Sequence, residues 1–211
     1  MIINMKPDLT LYFVTDSTGI DDAKLSDIVE KACKGGATLV QLREKDRCGR
    51  DFLSLARRLK TVTDKYNVPL IINDRVDIAL ACDAAGVHVG NEDIPVSDVR
   101  KILGAGKIIG ATAKSIDQAV NAQKAGADYL GVGAIFPTST KKTILTDIET
   151  LKKICTEVTI PVCAIGGITY DNCYVLEKSG IDGIAVVSAI VKSPDPEKAT
   201  RELAERILSI L

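Results

Sequence analysis

Short runs of apolar, strand-forming residues alternate along this chain with longer segments whose apolar positions recur every three or four residues. The first kind predicts strands and the second predicts helices that bury one face. Leu11 to Thr15 is expected as the first strand; the turn formers Asp16-Ser17-Thr18-Gly19 end it, and Leu25, Ile28, Val29 and Ala32 mark a helix running to Lys34. Thr38 to Leu42 predicts a second strand, and Phe52, Leu55, Ala56, Leu59 and Val62 a second helix that reaches as far as Asn67. A strand over Val68 to Ile72, a helix over Val76 to Cys82 and a strand over Gly86 to Val89 follow, and Pro95 then opens a helix through Leu103.

The second half repeats the scheme. Lys107 to Ala111 predicts a strand, Ile116 to Ala125 a helix, and Asp128 to Val132 a strand that runs into a long loop from Gly133 to Thr143. Ile148 to Val158 is expected to be helical, Ile160 to Ile165 a strand, Tyr170 to Ser179 a helix, Gly183 to Val187 the last strand and Pro196 to Leu211 a closing helix. Strict strand-helix alternation implies a parallel α/β sheet, and eight units are the number that closes into a (β/α)8 TIM barrel. Near-continuous apolar strands agree, since such strands are buried on both faces. Four glycine junctions, Gly36-Ala37, Gly86-Val87, Gly126-Ala127 and Gly180-Ile181, fall where a helix is expected to give way to a strand. A doubly wound α/β sheet is the alternative. With no linker or low-complexity tract in sight, residues 1–211 are expected to form a single TIM-barrel catalytic domain.

Composition narrows the partners. The chain has 211 residues, with 27 Lys and Arg against 28 Asp and Glu. This balance argues against a nucleic-acid or membrane surface, so an anion site must be a local arrangement and the partner a small molecule. Six cysteines without a C-x-x-C pair, behind a start that carries no secretory pattern, predict reduced thiols in a cytoplasmic protein. No apolar run approaches the roughly 18 residues of a transmembrane helix.

In a barrel of this kind chemistry belongs to the loops after the strands. At the end of the second strand, Gln41, Arg43 and Lys45 share one face if the strand alternation continues, and an amide with two cations suits a phosphate or carboxylate. An isolated pentapeptide of this kind could equally be a solvated strand end. Asp74 and Asp93 end successive strands and could reach one hard cation, leaving most positions to water and substrate phosphate in the manner of magnesium. Taken singly, Asp74 could instead cap the next helix and Asp93 form an Asx turn before Pro95. The 133–143 loop carries Thr138, Ser139, Thr140 and Lys141, three hydroxyls and a movable charge suited to phosphate or to a heterocycle edge, or simply a solvated loop. Gly166-Gly167 and Val187-Ser188 end strands seven and eight, where many barrels bind phosphate through backbone N–H groups. The single histidine, His88, is expected to face a packed layer rather than to act as a base; Cys163 and Cys173 are expected to be small apolar fillers and Arg57-Arg58-Lys60 a solvated helix face.

These rim motifs, in chain order, are Gln41-Leu42-Arg43-Glu44-Lys45, Asn73-Asp74-Arg75, His88-Val89-Gly90-Asn91-Glu92-Asp93, the Phe136-Pro137-Thr138-Ser139-Thr140-Lys141 core of the long loop, Gly166-Gly167-Ile168 and Val186-Val187-Ser188-Ala189-Ile190. Together they closely resemble the thiamine phosphate synthase family over the length of the chain. The resemblance implies a transferase of thiamine biosynthesis that joins hydroxymethylpyrimidine diphosphate to thiazole phosphate and releases pyrophosphate, assisted by Mg²⁺. It implies that Asp74 and Asp93 bind the metal. It counts Gln41, Leu42, Arg43, Glu44, Lys45, Asn73, Thr112 and Lys141 as contacts of the pyrimidine diphosphate, with Arg43, Lys45 and Lys141 in catalytic roles. Thr138, Ser139, Thr140, Gly167, Val187 and Ser188 would hold the thiazole phosphate.

Two departures are visible. Asn91 stands where the family usually has glutamine, and Gly110-Ala111-Thr112-Ala113-Lys114 replaces a Gly-x-Ser-x-His pattern. Thr112 keeps a hydroxyl, whereas Lys114 removes the histidine that related thiazole tautomerases are thought to use. A tautomerase and a non-catalytic binder of phosphate ligands are the alternatives, and the full set of cations and aspartates favours the synthase.

Overall fold

The computed structural model describes residues 6–138 and 144–211. Eight strands form a closed parallel barrel in sequence order: β1 (Leu11–Val14), β2 (Leu39–Leu42), β3 (Leu70–Asn73), β4 (Gly86–Val89), β5 (Ile108–Ala113), β6 (Tyr129–Val132), β7 (Val162–Ile165) and β8 (Gly183–Val186). Closure comes from β1, which pairs with β2 on one side (Tyr12 opposite Leu39) and with β8 on the other (Leu11 opposite Ile184). The helices α1 (Asp22–Gly35), α2 (Gly49–Asp64), α3 (Val76–Ala81), α4 (Val96–Leu103), α5 (Ile116–Lys124), α6 (Ile148–Glu157), α7 (Ser188–Val191) and α8 (Pro196–Leu208) surround it. The expected (β/α)8 barrel is what forms. Among the described residues no helix is long and apolar enough to cross a membrane.

Local chemistry accounts for the boundaries. Asp21, Ser115, Asp147 and Asp195 each cap a helix by accepting a hydrogen bond from a backbone N–H in its first turn. Gly36, the C-cap of α1, has φ 103°, a left-handed conformation that costs a residue without Cβ nothing. Gly86 belongs to a different class from the other junction glycines. It lies inside β4, and a Cβ there would stand 1.9 Å from the carbonyl oxygen of Ile108, so its reason is close strand approach and not helix termination.

Strand alternation divides the core in two. Leu11, Phe13, Val40, Leu42, Leu70, Ile72, Leu130 and Val132 point outward into the large layer beneath the helices, whereas Tyr12, Val14, Leu39, Ile71, Tyr129, Cys163 and Ala185 fill the barrel interior. Cys163 is thus an interior filler, with its thiol pushed up to about 12 by burial, and all six cysteines are free.

One expected helix is different. The segment Tyr170 to Ser179 contains only a 3₁₀ turn, Cys173–Leu176. Its buried residues, Cys173, Leu176 and Ser179, recur every three positions, the period of a 3₁₀ helix. Asn172 holds the turn to the preceding loop, accepting from Thr169 N–H (2.8 Å) and donating to the Gly167 carbonyl (2.9 Å). The four-residue α7 was not expected, being too short for any periodicity to show.

Candidate active site

The C-terminal ends of the strands open into a cavity lined by side chains from every part of the barrel, among them Tyr12, Gln41, Arg43, Asn73, His88, Thr112, Lys114, Thr138, Gly167, Val187 and Ser188. Most belong to the inward set that alternation selects. At the end of β2, Gln41 points into the barrel, 4% exposed, and its amide donates to the Tyr12 hydroxyl. Asn73 ends β3 on the same inward face, buried, with its amide nitrogen lacking any hydrogen-bond partner. An orphaned buried donor on a cavity wall is a group that a ligand would satisfy.

The pentapeptide 41–45 does not behave as one unit. β2 stops at Leu42, so the shared face expected of Gln41, Arg43 and Lys45 ends with the strand. Arg43 still lines the cavity. Lys45 lies farther out and extends its ammonium to 3.5 Å from the Asp74 carboxylate. Leu42 is fully buried in the outer core, so its side chain faces away from the cavity. Glu44 is not a cavity group either: its carboxylate accepts from Ser17 Oγ (2.9 Å) and Arg47 Nε (3.1 Å), and Arg47 also holds Asp22 at 2.8 Å. This chain of contacts ties the loop after β1 to the loop after β2. Arg43 is held separately, its backbone N–H donating to Thr15 Oγ1 at 3.1 Å.

Asp74 and Asp93 meet at the rim between β3 and β4. Asp74 has φ 60°, a left-handed conformation, with its N–H held by the His88 carbonyl at 2.9 Å. Asp93 accepts from the Gly90 N–H at 2.7 Å. Asp74 is not the cap of α3, since Arg75 occupies that position and no side chain caps there. Burial, followed by the facing Asp93 carboxylate, holds the Asp74 carboxyl above its ordinary range, and Lys45 offsets this only in part. Two carboxylates crowded together beside one lysine suit a cation. No group of three or more His, Cys, Asp or Glu side chains that could hold a metal occurs among the described residues; Asp74 and Asp93 offer hard oxygen donors.

On the other side of the cavity, Gly166 and Gly167 have φ 102° and 64°. A Cβ on Gly167 would stand 2.5 Å from the Pro137 carbonyl oxygen, so this pair lets the loop after β6 lie directly on the end of β7. Thr138 enters the cavity from that loop, and Val187 and Ser188 enter from the start of α7. Ser139, Thr140 and Lys141 lie outside the described residues. Asp16, after β1, also reaches this rim; its burial is outweighed by hydrogen bonds from Thr18 and by the charges of Arg43 and Lys192, which leave its carboxyl below the usual range.

Residues 11–190 match the model of the thiamine monophosphate synthase family. The chain belongs to that family. It is 53% identical over 201 residues to a thiamine-phosphate synthase of Clostridium tetani, covering 95% of this chain and 96% of that one. Identity is 55%, with the same coverage, to the thiamine-phosphate synthase of Ruminiclostridium cellulolyticum. A solved thiamine phosphate pyrophosphorylase from Pyrococcus furiosus superposes with a TM-score of 0.89 at 40% identity, covering 98% of both chains.

Three interior residues of this family member were not singled out as site residues by the rim motifs. Tyr12 from β1 and Tyr129 from β6 are buried, 1% and 0% exposed, with their hydroxyls 2.8 Å apart. His88, from β4, expected against a packed layer, packs on Tyr129 and also lines the cavity: Nδ1 lies 3.1 Å from the Tyr129 hydroxyl and Nε2 3.1 Å from the Thr112 hydroxyl. Thr112 is on β5, which runs two residues past its expected end. The available signal was a tyrosine within an otherwise apolar strand, where a buried hydroxyl needs a partner.

Proposed function

We propose that this member of the thiamine monophosphate synthase family joins hydroxymethylpyrimidine diphosphate to thiazole phosphate, giving thiamine phosphate and pyrophosphate. The observation that carries the reading is the pairing of two chemistries at one mouth: a barrel interior that offers Gln41, Asn73 and Thr112 to a heterocycle or its diphosphate, and a charged rim of Asp74, Asp93, Arg43 and Lys45 beside it. In the reaction the methylene C–O bond breaks with its electron pair going to the departing pyrophosphate, and the thiazole nitrogen lone pair forms the new C–N bond.

Arg43 and Lys45 bind the diphosphate and stabilise the charge that grows on it, an electrostatic task that fixed cations perform without reorganising. Lys141 is assigned the same task from the loop after β6. The unpartnered amide of Asn73 gives a neutral donor within the cavity. Asp74 and Asp93 would hold Mg²⁺. When bound, the ion neutralises pyrophosphate charge as a Lewis acid. Thr138, Ser139, Thr140, Gly167, Val187 and Ser188 are assigned to the thiazole phosphate, which backbone N–H groups and hydroxyls can bind without a full countercharge. No protein nucleophile enters this scheme.

Mixing both substrates with and without Mg²⁺ tests the proposal. Thiamine phosphate and pyrophosphate are expected in equal amounts in the presence of the metal. No product under either condition would demote the chain to a binder or a tautomerase.

A further inference from the structure

Five side chains form one hydrogen-bonded chain across the barrel interior: Gln41 Nε2 to Tyr12, Tyr12 to Tyr129 at 2.8 Å, Tyr129 to His88 Nδ1 at 3.1 Å, and His88 Nε2 to Thr112 at 3.1 Å. The order of protons along it follows from its first member. An amide nitrogen can only donate, so the Tyr12 oxygen accepts from Gln41. Were Tyr129 also to donate to Tyr12, the Tyr12 proton would have no acceptor in a fully buried position, at a cost of about 1–3 kcal/mol. Tyr12 therefore donates to Tyr129, and Tyr129 has its own proton left for His88 Nδ1. A nitrogen that accepts carries no proton, so the imidazole is neutral with its hydrogen on Nε2, and that hydrogen is donated to Thr112. Burial raises both tyrosine hydroxyls above their ordinary range, so both keep their protons.

We propose that Gln41, Tyr12 and Tyr129 are positioning residues that lock His88 as the neutral Nε2–H tautomer and thereby turn Thr112 into a hydrogen-bond donor toward the cavity. The Thr112 oxygen is engaged by His88, so its own proton points elsewhere, and Thr112 lines the cavity wall. The substrate atom that meets the Thr112 proton is an acceptor, a ring nitrogen lone pair or a phosphate oxygen. The architecture leaves space for this chain and little else: a Cβ at Gly110 would lie 2.3 Å from the Tyr129 hydroxyl and 2.5 Å from His88 Nδ1.

The test exploits the fact that the chain has one histidine. Long-range ¹H–¹⁵N correlation spectra of uniformly ¹⁵N-labelled, ligand-free protein at neutral pH are expected to show a single imidazole, with Nε2 in the range of a protonated nitrogen and Nδ1 in the range of an unprotonated one. A wild-type spectrum showing Nδ1–H, or an imidazolium, reverses or breaks the chain and overturns the proposal with no variant needed. In Tyr129→Phe the two nitrogen shifts are expected to move toward each other as the tautomers mix; an unchanged spectrum in a folded variant also overturns it. The consequence at Thr112 rests on the synthase reading. Thr112→Val is expected to raise the KM for the pyrimidine diphosphate about tenfold, the loss of one hydrogen bond of about 1.4 kcal/mol, with Thr112→Ser restoring it. Equal KM values for wild type and Thr112→Val would refute the donor role. Failure of the synthase reading would appear as no product in any of them, while the spectra would still decide the tautomer.

Discussion

Gly110→Ala places a methyl group where the interior chain runs, and the size of its effect can be worked from distances. An added Cβ would stand 2.1 Å from Tyr129 Cζ and 2.5 Å from His88 Nδ1, whereas ordinary carbon contacts begin near 3.4 Å, so the ring must retreat by 3.4 − 2.1 = 1.3 Å. Tyr129 has nowhere to go: it is fully buried, its ring centroid is 5.8 Å from that of Tyr12 in an edge-to-face contact, and His88 is 5.5 Å away on the other side. Overpacking of this degree falls at the upper end of the usual range, about 3 kcal/mol. Separation of Tyr129 from His88 adds about 1 kcal/mol for the lost hydrogen bond. A total of about 4 kcal/mol corresponds to a fall in Tm of roughly 8–16 °C in a domain of this length. Gly106→Ala is the control, since nothing lies within 4 Å of a Cβ there, and a change of less than about 0.5 kcal/mol is expected. Thermal melts followed by circular dichroism, with denaturant titrations for ΔG, make the comparison. If Gly110→Ala melts together with Gly106→Ala and wild type, the ring and imidazole do not occupy that space and the argument for a filled polar interior collapses.

Other perturbations address the rim. Asp74→Ala and Asp93→Ala are each expected to raise the Mg²⁺ requirement and cut turnover with little loss of folding; unaltered Mg²⁺ dependence in the double variant would remove this metal site. Metal-free Asp93→Asn is expected to be more stable than wild type at neutral pH. A carboxyl whose folded pKa is raised, as that of Asp74 is, costs stability above that pKa, and the cost disappears as pH falls toward the unfolded value near 4. Melting in a chelator across that pH range checks it, and a gain that grows toward acid pH would contradict the sign. Lys141→Ala is expected to lower kcat roughly ten- to a thousandfold with a smaller effect on diphosphate affinity, because the charge acts mainly as the C–O bond breaks, while Thr140→Ala weakens thiazole phosphate binding; single-turnover rates and separate titrations distinguish the two. Glu44→Gln is expected to loosen Arg47 and raise KM through Arg43 and Lys45 with no direct contact to substrate, and an unchanged KM would show that the loop tie is dispensable.

The order and number of the strand-helix units were legible in the sequence because apolar periodicity is a local property, and eight parallel units have few ways to bury both faces of their strands. The rim motifs were legible for the same reason, since every strand end in such a barrel faces one side. Periodicity also misled where two periods resemble each other, as at Cys173–Leu176, where spacing by three belongs to a 3₁₀ turn. It could not tell which alternate face of a strand lies inside, because in β1 and β6 both faces are apolar. Only the closed barrel decided that Tyr12 and Tyr129, 117 residues apart, touch through their hydroxyls. The same closure separated Glu44 from its motif. In the sequence it stands between two cations, but one oxygen of its carboxylate, Oε2, is held by Arg47 and Ser17, and that choice depends on where the loop after β1 comes to rest. Residue type and spacing determined which chemistry the rim can hold; packing between strands distant in sequence decided which of those groups face the substrate, since a hydrogen bond is set by three-dimensional distance and not by order along the chain.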